Sequence, residues 1–179
     1  MKKLVMTAII ALAFVATPDL NAQDFKVDKS PMDQASFPAS YRIVDKDFRV
    51  TYSRPQLKGR TLDKLAPEGK VYRLGANEAV EVTFYKDAKL GTTPVPAGTY
   101  TMYAIPGEKE WTVILNSDLN VWGAYSYDDS KDVARITVPV ETDKDSVEYF
   151  GMEFVEVDKG AHLVMAWDTL RVQVPFYNK

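Results

Sequence analysis

Apolar and polar positions alternate along most of the chain after residue 79, which is the period of β-strands with one buried face. The clearest example is the segment in which Val80, Val82 and Phe84 alternate with residues of the opposite face. Comparable segments follow the same period: 48–52, 99–105, 110–115, 133–140, 147–157, 161–167 and 170–174. Seven to nine short strands without a convincing amphipathic helix predict an all-β fold, an antiparallel β-sandwich or jelly roll in a single domain.

Two turns support this interpretation. Residues 106–109, Pro-Gly-Glu-Lys, lie between 99–105 and 110–115 and predict a hairpin, because Pro fixes φ and Gly permits a tight reversal. Residues 158–160, Asp-Lys-Gly, predict a second turn into the following strand. We expect an irregularity at Gly151, where a residue without a side chain interrupts a strand pattern.

The alternation disappears between Ser53 and Ala79, where Pro and Gly recur. That composition predicts a long structured loop with at most a helical turn around residues 62–65. Residues 23–40 are polar and contain two prolines, so they predict an extended lead-in to a β-domain over 41–179.

The first 22 residues follow a different pattern. Two lysines come directly after Met1, an apolar run extends from Leu4 to Ala16, and small residues follow it up to Ala22. This order is typical of a secretory signal peptide. The run is too short to cross a hydrocarbon core of about 30 Å as a helix. We expect residues 1–22 to be removed and the protein to be exported to the periplasm or the extracellular space; an uncleaved amino-terminal anchor is the alternative.

Composition narrows the function classes. The 179 residues carry a net charge of −3, which becomes −4 without residues 1–22, and they include no cysteine and one histidine. Disulfides and thiolate metal sites are therefore excluded, and general-base chemistry has few candidates. A mild acidic balance without a long basic run argues against nucleic acid and anionic membrane surfaces as partners.

Cations concentrate in the aperiodic segment. Residues 52–79 contain six basic residues and only three acidic ones: Arg54, Lys58, Arg60, Lys64, Lys70 and Arg73 against Asp63, Glu68 and Glu78. Guanidinium groups near flexible glycines are natural receivers for carboxylate, phosphate or sugar hydroxyls. We predict that Arg54, Arg60 and Arg73 contact such groups and that Asn77 and Glu78 orient them. The equal alternative is that the arginines fasten the loop through ion pairs.

A second candidate segment is aromatic. Trp122, Tyr125 and Tyr127 lie in a loop-like stretch, and exposed aromatic faces stack on sugar rings and peptides. For Tyr125 and Tyr127 the ligand interpretation is slightly favoured. For Trp122 the favoured interpretation is a buried residue beneath the loop, with ligand contact as the alternative.

Other groups are open to two interpretations. Glu78 with a second carboxylate could serve a glycosidase, and Asp128, Asp129 and Asp132 could hold Ca²⁺, although solvated loop charge is favoured for the aspartates. His162 is interpreted as a structural histidine, and Arg135 as either an ion-pair partner or a ligand contact. We predict no cofactor and no metal.

Longer motifs span the same region. They include Tyr-Ser-Arg-Pro at 52–55, Lys-Gly-Arg at 58–60 and the stretch from Pro67 to Ala79. Others are Pro-Ala-Gly-Thr-Tyr at 96–100, Ile-Pro-Gly at 105–107, Trp-Thr at 111–112, Trp-Gly-Ala-Tyr at 122–125 and Asp-Val-x-Arg at 132–135. Together they resemble the family called domain of unknown function 2911. The resemblance implies a secreted bacterial β-sandwich protein and assigns no reaction and no catalytic residue.

We therefore expect an exported module that binds a small molecule or glycan in a cleft between residues 53–79 and 122–129. Two other classes remain open: a hydrolase of envelope carbohydrate that uses Glu78, and a structural envelope protein that binds a partner.

Overall fold

The computed structural model describes residues 26–179, so the predicted signal peptide over residues 1–22 lies outside the described residues. Nine strands follow one another along the chain: β1 (Met32–Phe37), β2 (Phe48–Ser53), β3 (Val80–Phe84), β4 (Ala88–Leu90), β5 (Thr93–Val95), β6 (Gly98–Ile105), β7 (Glu110–Asn116), β8 (Asp132–Val157) and β9 (Gly160–Asn178). The helical elements of the described chain are α1 (Leu62–Leu65) and a 3-10 helix over Asp129–Lys131.

All nine strands belong to one antiparallel sheet with the order β1-β2-β3-β6-β7-β8-β9-β4-β5. The prediction of an all-β, antiparallel, single-domain fold is confirmed. The predicted hairpin is present as β6 and β7, where Ile105 pairs with Thr112 and Thr101 pairs with Asn116. β1 lies in the segment for which the sequence predicts only an extended lead-in.

Two long strands replace four predicted ones. β8 pairs with β7 up to Pro139 and with β9 from Val140 onward, so one strand serves both halves of the sheet. Its pairing with β9 shifts register between Thr142 and Val147 and again between Val147 and Gly151. The predicted irregularity at Gly151 therefore coincides with a register shift. Predicting separate strands at 133–140 and 147–157, and at 161–167 and 170–174, was wrong because the chain stays extended through both interruptions.

The sheet folds over on itself, as its aromatic core shows. Phe48 of β2 and Phe176 of β9 are far apart in strand order, yet their ring centroids lie 5.3 Å apart. Phe84 stacks on Phe176 at 5.3 Å, and Phe154 contacts Phe176 at 5.6 Å. These side chains are almost completely buried. Two layers therefore face each other across a hydrophobic interior, as sheet-on-sheet packing requires.

The segment from Ser53 to Ala79 covers one end of these layers as a structured loop, with α1 at the predicted helical turn. Backbone hydrogen bonds fasten it to both layers: Leu57 N–H donates to Glu148 O on β8 at 3.0 Å, and Tyr72 N–H donates to Ala104 O on β6 at 2.7 Å. No helix within residues 26–179 has the length and apolar character needed to cross a membrane.

Candidate functional site

A cavity of about 510 Å³ lies where the long loop, residues 53–79, meets the aromatic loop, residues 122–129. This volume is within the range of about 300–1,000 Å³ that is common for small-molecule sites. Most of its wall comes from residues 55–76, and the rest comes from distant parts of the chain. The lining residues are Ser30, Pro55, Arg60, Leu65, Pro67, Lys70, Val71, Tyr72, Arg73, Gly75, Ala76, Ala124, Tyr125 and Trp167.

The cavity wall is cationic. Arg60, Lys70 and Arg73 line it, and no acidic residue is among the lining residues. Seven ion pairs form among residues 26–179, and none of these three cations takes part in one. Arg73 is half-buried, whereas Arg60 and Lys70 are exposed at the mouth. The cavity therefore presents positive charge that no side chain of the described protein neutralises.

The two arginines are held by backbone carbonyls and keep donors available. Arg60 donates from Nε to Leu57 O at 2.9 Å and from Nη2 to Gln56 O at 2.6 Å, and its Nη1 has no hydrogen-bond partner within the described residues. Arg73 donates from Nε to Gly75 O at 3.2 Å. Both terminal nitrogens of Arg73 lack a hydrogen-bond partner among residues 26–179. A fork of this kind matches a carboxylate or a phosphate through two parallel hydrogen bonds.

The turn that carries Arg73 is anchored in the core. Leu74 adopts a positive φ of 55° and its side chain is completely buried. A bulky residue in the left-handed region is uncommon and is retained only where its surroundings hold it in place. The buried Leu74 fixes the direction in which the preceding residue, Arg73, leaves the chain.

The floor of the cavity is a stacked pair of rings. Tyr72 lies on Trp167 of β9, and each ring has one polar anchor: Tyr72 donates its hydroxyl to Gly75 O at 3.3 Å, and Trp167 donates Nε1–H to Glu148 O at 3.3 Å. Burial raises the pKa of Tyr72, and the neighbouring Arg73 opposes that shift only in part. Tyr72 therefore stays a neutral phenol at neutral pH.

The long loop and the aromatic loop are joined at Gly123. Its N–H donates to Asn77 O at 3.1 Å, and Ala79 N–H donates to Val121 O at 2.9 Å. Gly123 has a φ of 68°, and a Cβ on it would lie 2.7 Å from Cε2 of Tyr125 and 3.4 Å from Nη1 of Arg73. The absence of a side chain at Gly123 thus lets the exposed ring of Tyr125 lie beside Arg73.

The amino-terminal segment closes part of the wall. Ser30 lines the cavity, and its neighbours are tied to the long loop: Gln56 Nε2 donates to Lys29 O at 2.7 Å, and Arg54 N–H donates to Pro31 O at 3.0 Å. The carboxylate of Asp28 accepts from Ser30 N–H at 2.7 Å. The hydrogen bond from Ser30 N–H is the main cause that lowers the pKa of Asp28, and the side chain of Asn77 is the second.

The model of the family described as "Protein of unknown function (DUF2911)" matches residues 30–176. The chain belongs to this family. No curated protein and no solved structure matches it. The match confirms the resemblance found in the motifs, and the DUF2911 region contains every residue that lines the cavity.

Not all predicted site residues of this DUF2911 chain reach the cavity. Arg54 lies outside its lining, paired with Asp33 at 3.3 Å, bonded through Nε to Phe150 O at 3.0 Å and placed over the ring of Tyr149. This is the fastening role that the sequence offers as the alternative for the arginines. Asn77 contributes its backbone carbonyl to the junction with Gly123 rather than lining the cavity.

The predicted aromatic residues lie in different environments. Tyr125 lines the cavity and is 84% exposed. Trp122 is 60% exposed, so interpreting it as a buried residue beneath the loop was wrong; its backbone bridges to Glu78, and it lies outside the cavity lining.

Tyr127 packs edge-on against Tyr103, with ring centroids 5.1 Å apart. Its hydroxyl donates to Asp132 and accepts from Arg135, both at 2.7 Å. Burial, followed by the hydrogen bond to Asp132, raises the pKa of Tyr127. Arg135 pairs with Asp132 three residues earlier on the same strand, and Tyr127 belongs to this structural network.

The acidic candidates lie elsewhere. Glu78 is exposed and lines a separate cleft of about 440 Å³ together with Glu81, whose carboxylate accepts from Asn120 N–H at 2.9 Å. A glycosidase pair needs environments that divide acid and base roles, and the exposed Glu78 lacks the burial that would supply one. Within residues 26–179 no group of three or more His, Cys, Asp or Glu side chains is arranged to hold a metal ion.

Sequence reasoning missed four polar or aromatic residues of the cavity lining. Lys70 was counted among the cations but not selected, and Ser30, Tyr72 and Trp167 were not considered as lining residues. The available signal was local for Lys70, which lies three residues before Arg73 in the same aperiodic segment. Trp167 follows the core pattern of its strand, so nothing in the sequence indicates that it also forms a cavity floor.

Proposed function

We propose that this protein is an exported binding module that holds a small anionic ligand in the cavity between its long loop and its aromatic loop. The observation that carries the proposal is the convergence of Arg60, Lys70 and Arg73 on one cavity that contains no acidic lining residue. Arg54 of the same loop, by contrast, is paired with the carboxylate of Asp33. Cations without such partners are suited to a negatively charged ligand.

The placement of charged and aromatic residues in the wall of the cavity supports a small organic ligand. Arg73 is half-buried beside the rings of the floor, so its hydrogen bonds to a ligand would be partly shielded from water and correspondingly stronger. Tyr125 adds an exposed aromatic face at the mouth, where the C–H face of a sugar ring or a flat group can stack.

Export belongs to the same proposal and rests on the amino-terminal pattern of charge, apolar run and small residues. Its test is separate. Cells that produce the full chain are fractionated, and the mature protein is sequenced from its amino terminus. A mature start near Gln23 in the exported fraction is expected; a chain that retains Met1 in the cytoplasm would contradict export.

Ligand binding is tested by thermal unfolding of residues 23–179 against carboxylates, sugar phosphates, acidic sugars, neutral sugars and divalent ions. A ligand at a hundredfold excess over its Kd stabilises the folded state by about 2.7 kcal/mol, which raises the midpoint by several degrees. We expect anionic compounds to give such a shift and neutral sugars to give less.

Arg73→Ala and Arg54→Ala form a matched pair for this experiment, because both remove a half-buried arginine of the same loop. The shift should disappear in Arg73→Ala and persist in Arg54→Ala. Loss of the shift in both variants, or no shift with any anion, would mean that the arginines only stabilise the loop.

A further inference from the structure

The three cations occupy two depths of the cavity. Arg73 lies inside, next to Tyr72 and Gly75, and Arg60 and Lys70 are exposed at the mouth. A cavity of about 510 Å³ is roughly 10 Å across, which is about one Debye length at 0.1 M salt, so the charge of an anion bound at one end is weakened by screening at the other end. A ligand with one negative charge would pair with Arg73 and leave the positive charges of Arg60 and Lys70 without a counter-charge.

Most of the remaining lining residues are non-polar. They include two prolines, aliphatic side chains and the rings of the floor: Pro55, Leu65, Pro67, Val71, Tyr72 and Trp167. An inorganic anion would contact the cations and leave this surface against water. A ligand that fills the space therefore has carbon rings or chains between its charged groups.

On these grounds, and resting on the proposed function, we infer that the ligand is a sugar with two separated anionic groups, one held by Arg73 and the other by Arg60 and Lys70. Its rings lie against the non-polar wall and under Tyr125. This chemistry has two sources, an acidic oligosaccharide with two uronic acids and a sugar that carries two phosphates.

The test is a calorimetric titration of residues 23–179 with compounds that differ in one property at a time. Digalacturonate has two carboxylates on two rings, galacturonate has one carboxylate on one ring, and galactobiose has two rings and no charge. Fructose 1,6-bisphosphate has two phosphates on one sugar, and citrate has several carboxylates and no ring.

We expect digalacturonate or fructose 1,6-bisphosphate to bind about tenfold more tightly than galacturonate, since the second anionic group contacts both Arg60 and Lys70 and each exposed contact contributes a factor of about 2 to 5. Whichever of the two binds more tightly identifies the source of the ligand. Galactobiose and citrate should both bind more weakly than the better of these two. Affinity should fall as salt is added, because the contacts are electrostatic.

Variants separate the inner and outer contacts. Arg73→Ala should lower the affinity for the dianionic sugar about 10-fold to 100-fold, and Arg60→Ala or Lys70→Ala about 2-fold to 5-fold each, because exposed charges are screened by water. In Arg60→Ala and Lys70→Ala the ratio of the affinity for the dianionic sugar to the affinity for galacturonate should become smaller. Arg54→Ala should bind like the unmodified protein.

Two results would overturn the inference and leave the proposed function intact: equal affinity for galacturonate and the best dianionic sugar, or equal affinity for citrate and that sugar. Equal affinity for galacturonate would show that a second anionic group adds nothing to binding. Equal affinity for citrate would show that the sugar ring adds nothing. If no anion binds and Arg73→Ala changes only stability, the proposed function fails together with the inference.

Discussion

The ring of Tyr72 lies almost parallel to that of Trp167, with centroids 6.3 Å apart and 15° between the planes. Tyr72 belongs to the long loop and is bonded through its backbone to β6, whereas Trp167 is part of β9. The contact therefore joins the two layers beneath the cavity. A floor that is supported from both layers does not need to rearrange when a ligand enters, and such preorganisation lowers the cost of binding.

This contact predicts a specific response to alkali. Burial raises the pKa of Tyr72, whereas a tyrosine in the unfolded chain ionises near its ordinary value of 10.0. Above that pH the unfolded state releases protons that the folded state retains, so the contribution of Tyr72 to stability is fully present below about pH 10 and is lost as pH rises further. Urea unfolding midpoints measured from about pH 9 to about pH 11 should show this decline.

Tyr72→Phe is the control for that measurement. It removes the ionisable group but keeps the stacked ring, so the decline above pH 10 should become shallower. The decline should not vanish, because burial also raises the pKa of four other tyrosines: Tyr52, Tyr100, Tyr103 and Tyr127. At neutral pH the variant should lose at most about 1 kcal/mol, since Gly75 O still accepts from Arg73. An unchanged alkaline slope would show that Tyr72 ionises as freely in the folded state as in the unfolded state.

Gly123 and Gly59 offer a matched test of the junction between the loops. Both have nearly the same backbone angle, φ 68° and φ 70°, but a Cβ at Gly59 would meet no atom within 4 Å. Alanine at either position should therefore cost about 1 kcal/mol for the left-handed conformation. Gly123→Ala should in addition displace the flexible side chain of Tyr125 and disturb Arg73.

The measurements for this pair are urea unfolding and the anion-induced thermal shift. Stability should fall by similar amounts in both variants, and the thermal shift should be reduced only in Gly123→Ala. A normal shift in Gly123→Ala would show that the position of Tyr125 does not matter for binding.

Asp132 should be important for stability rather than for binding. Its side chain is 9% exposed, pairs with Arg135 and accepts hydrogen bonds from Tyr127 and Asn116. Asp132→Ala leaves these donors without their acceptor and should lower the free energy of unfolding by about 2 kcal/mol. The exposed Asp129 is the control, and its replacement by alanine should change stability by less than about 0.5 kcal/mol. Equal effects in urea unfolding would contradict the network.

Phe176 should be one of the most sensitive positions in the core. It is completely buried and contacts three other phenylalanines from three strands. Phe176→Ala removes a whole ring from a closely packed site and should cost about 4 kcal/mol in urea unfolding. Tyr41→Ala, at an 84% exposed position, should cost less than about 0.5 kcal/mol, and similar losses at both positions would contradict the described core.

The clearest prediction of the fold is β3, in which one face is buried and the other is not, because the interior selects every second residue there. β6 and β7 are buried at most consecutive positions, so their apolar and aromatic content rather than a strict alternation of burial indicates strands. β4 and β5 have three residues each, which is too short to establish a period. β1 pairs with β2 alone, so as an edge strand it is not required to alternate strongly. Its detection needs knowledge of its partner.

The site could be predicted only in outline. An excess of cations over residues 52–79 indicates where positive charge collects, but an aperiodic segment gives no rule for the direction of each side chain. Arg54 and Arg73 therefore look equivalent in sequence, and only tertiary contacts send one to Asp33 and the other into the cavity. The exposure of Trp122 was missed for the same reason, because nothing local tells a covered ring from an open one.

The position of Phe176 also bears on when the chain can fold. The ring lies at the centre of the core, yet it belongs to β9, the last strand of the described chain. A ribosome must therefore release nearly all of residues 26–178 before the interior can close, and most strand pairings that depend on β9 form late. The order of the strands along the chain therefore delays closure of the core until synthesis of the described residues is nearly complete.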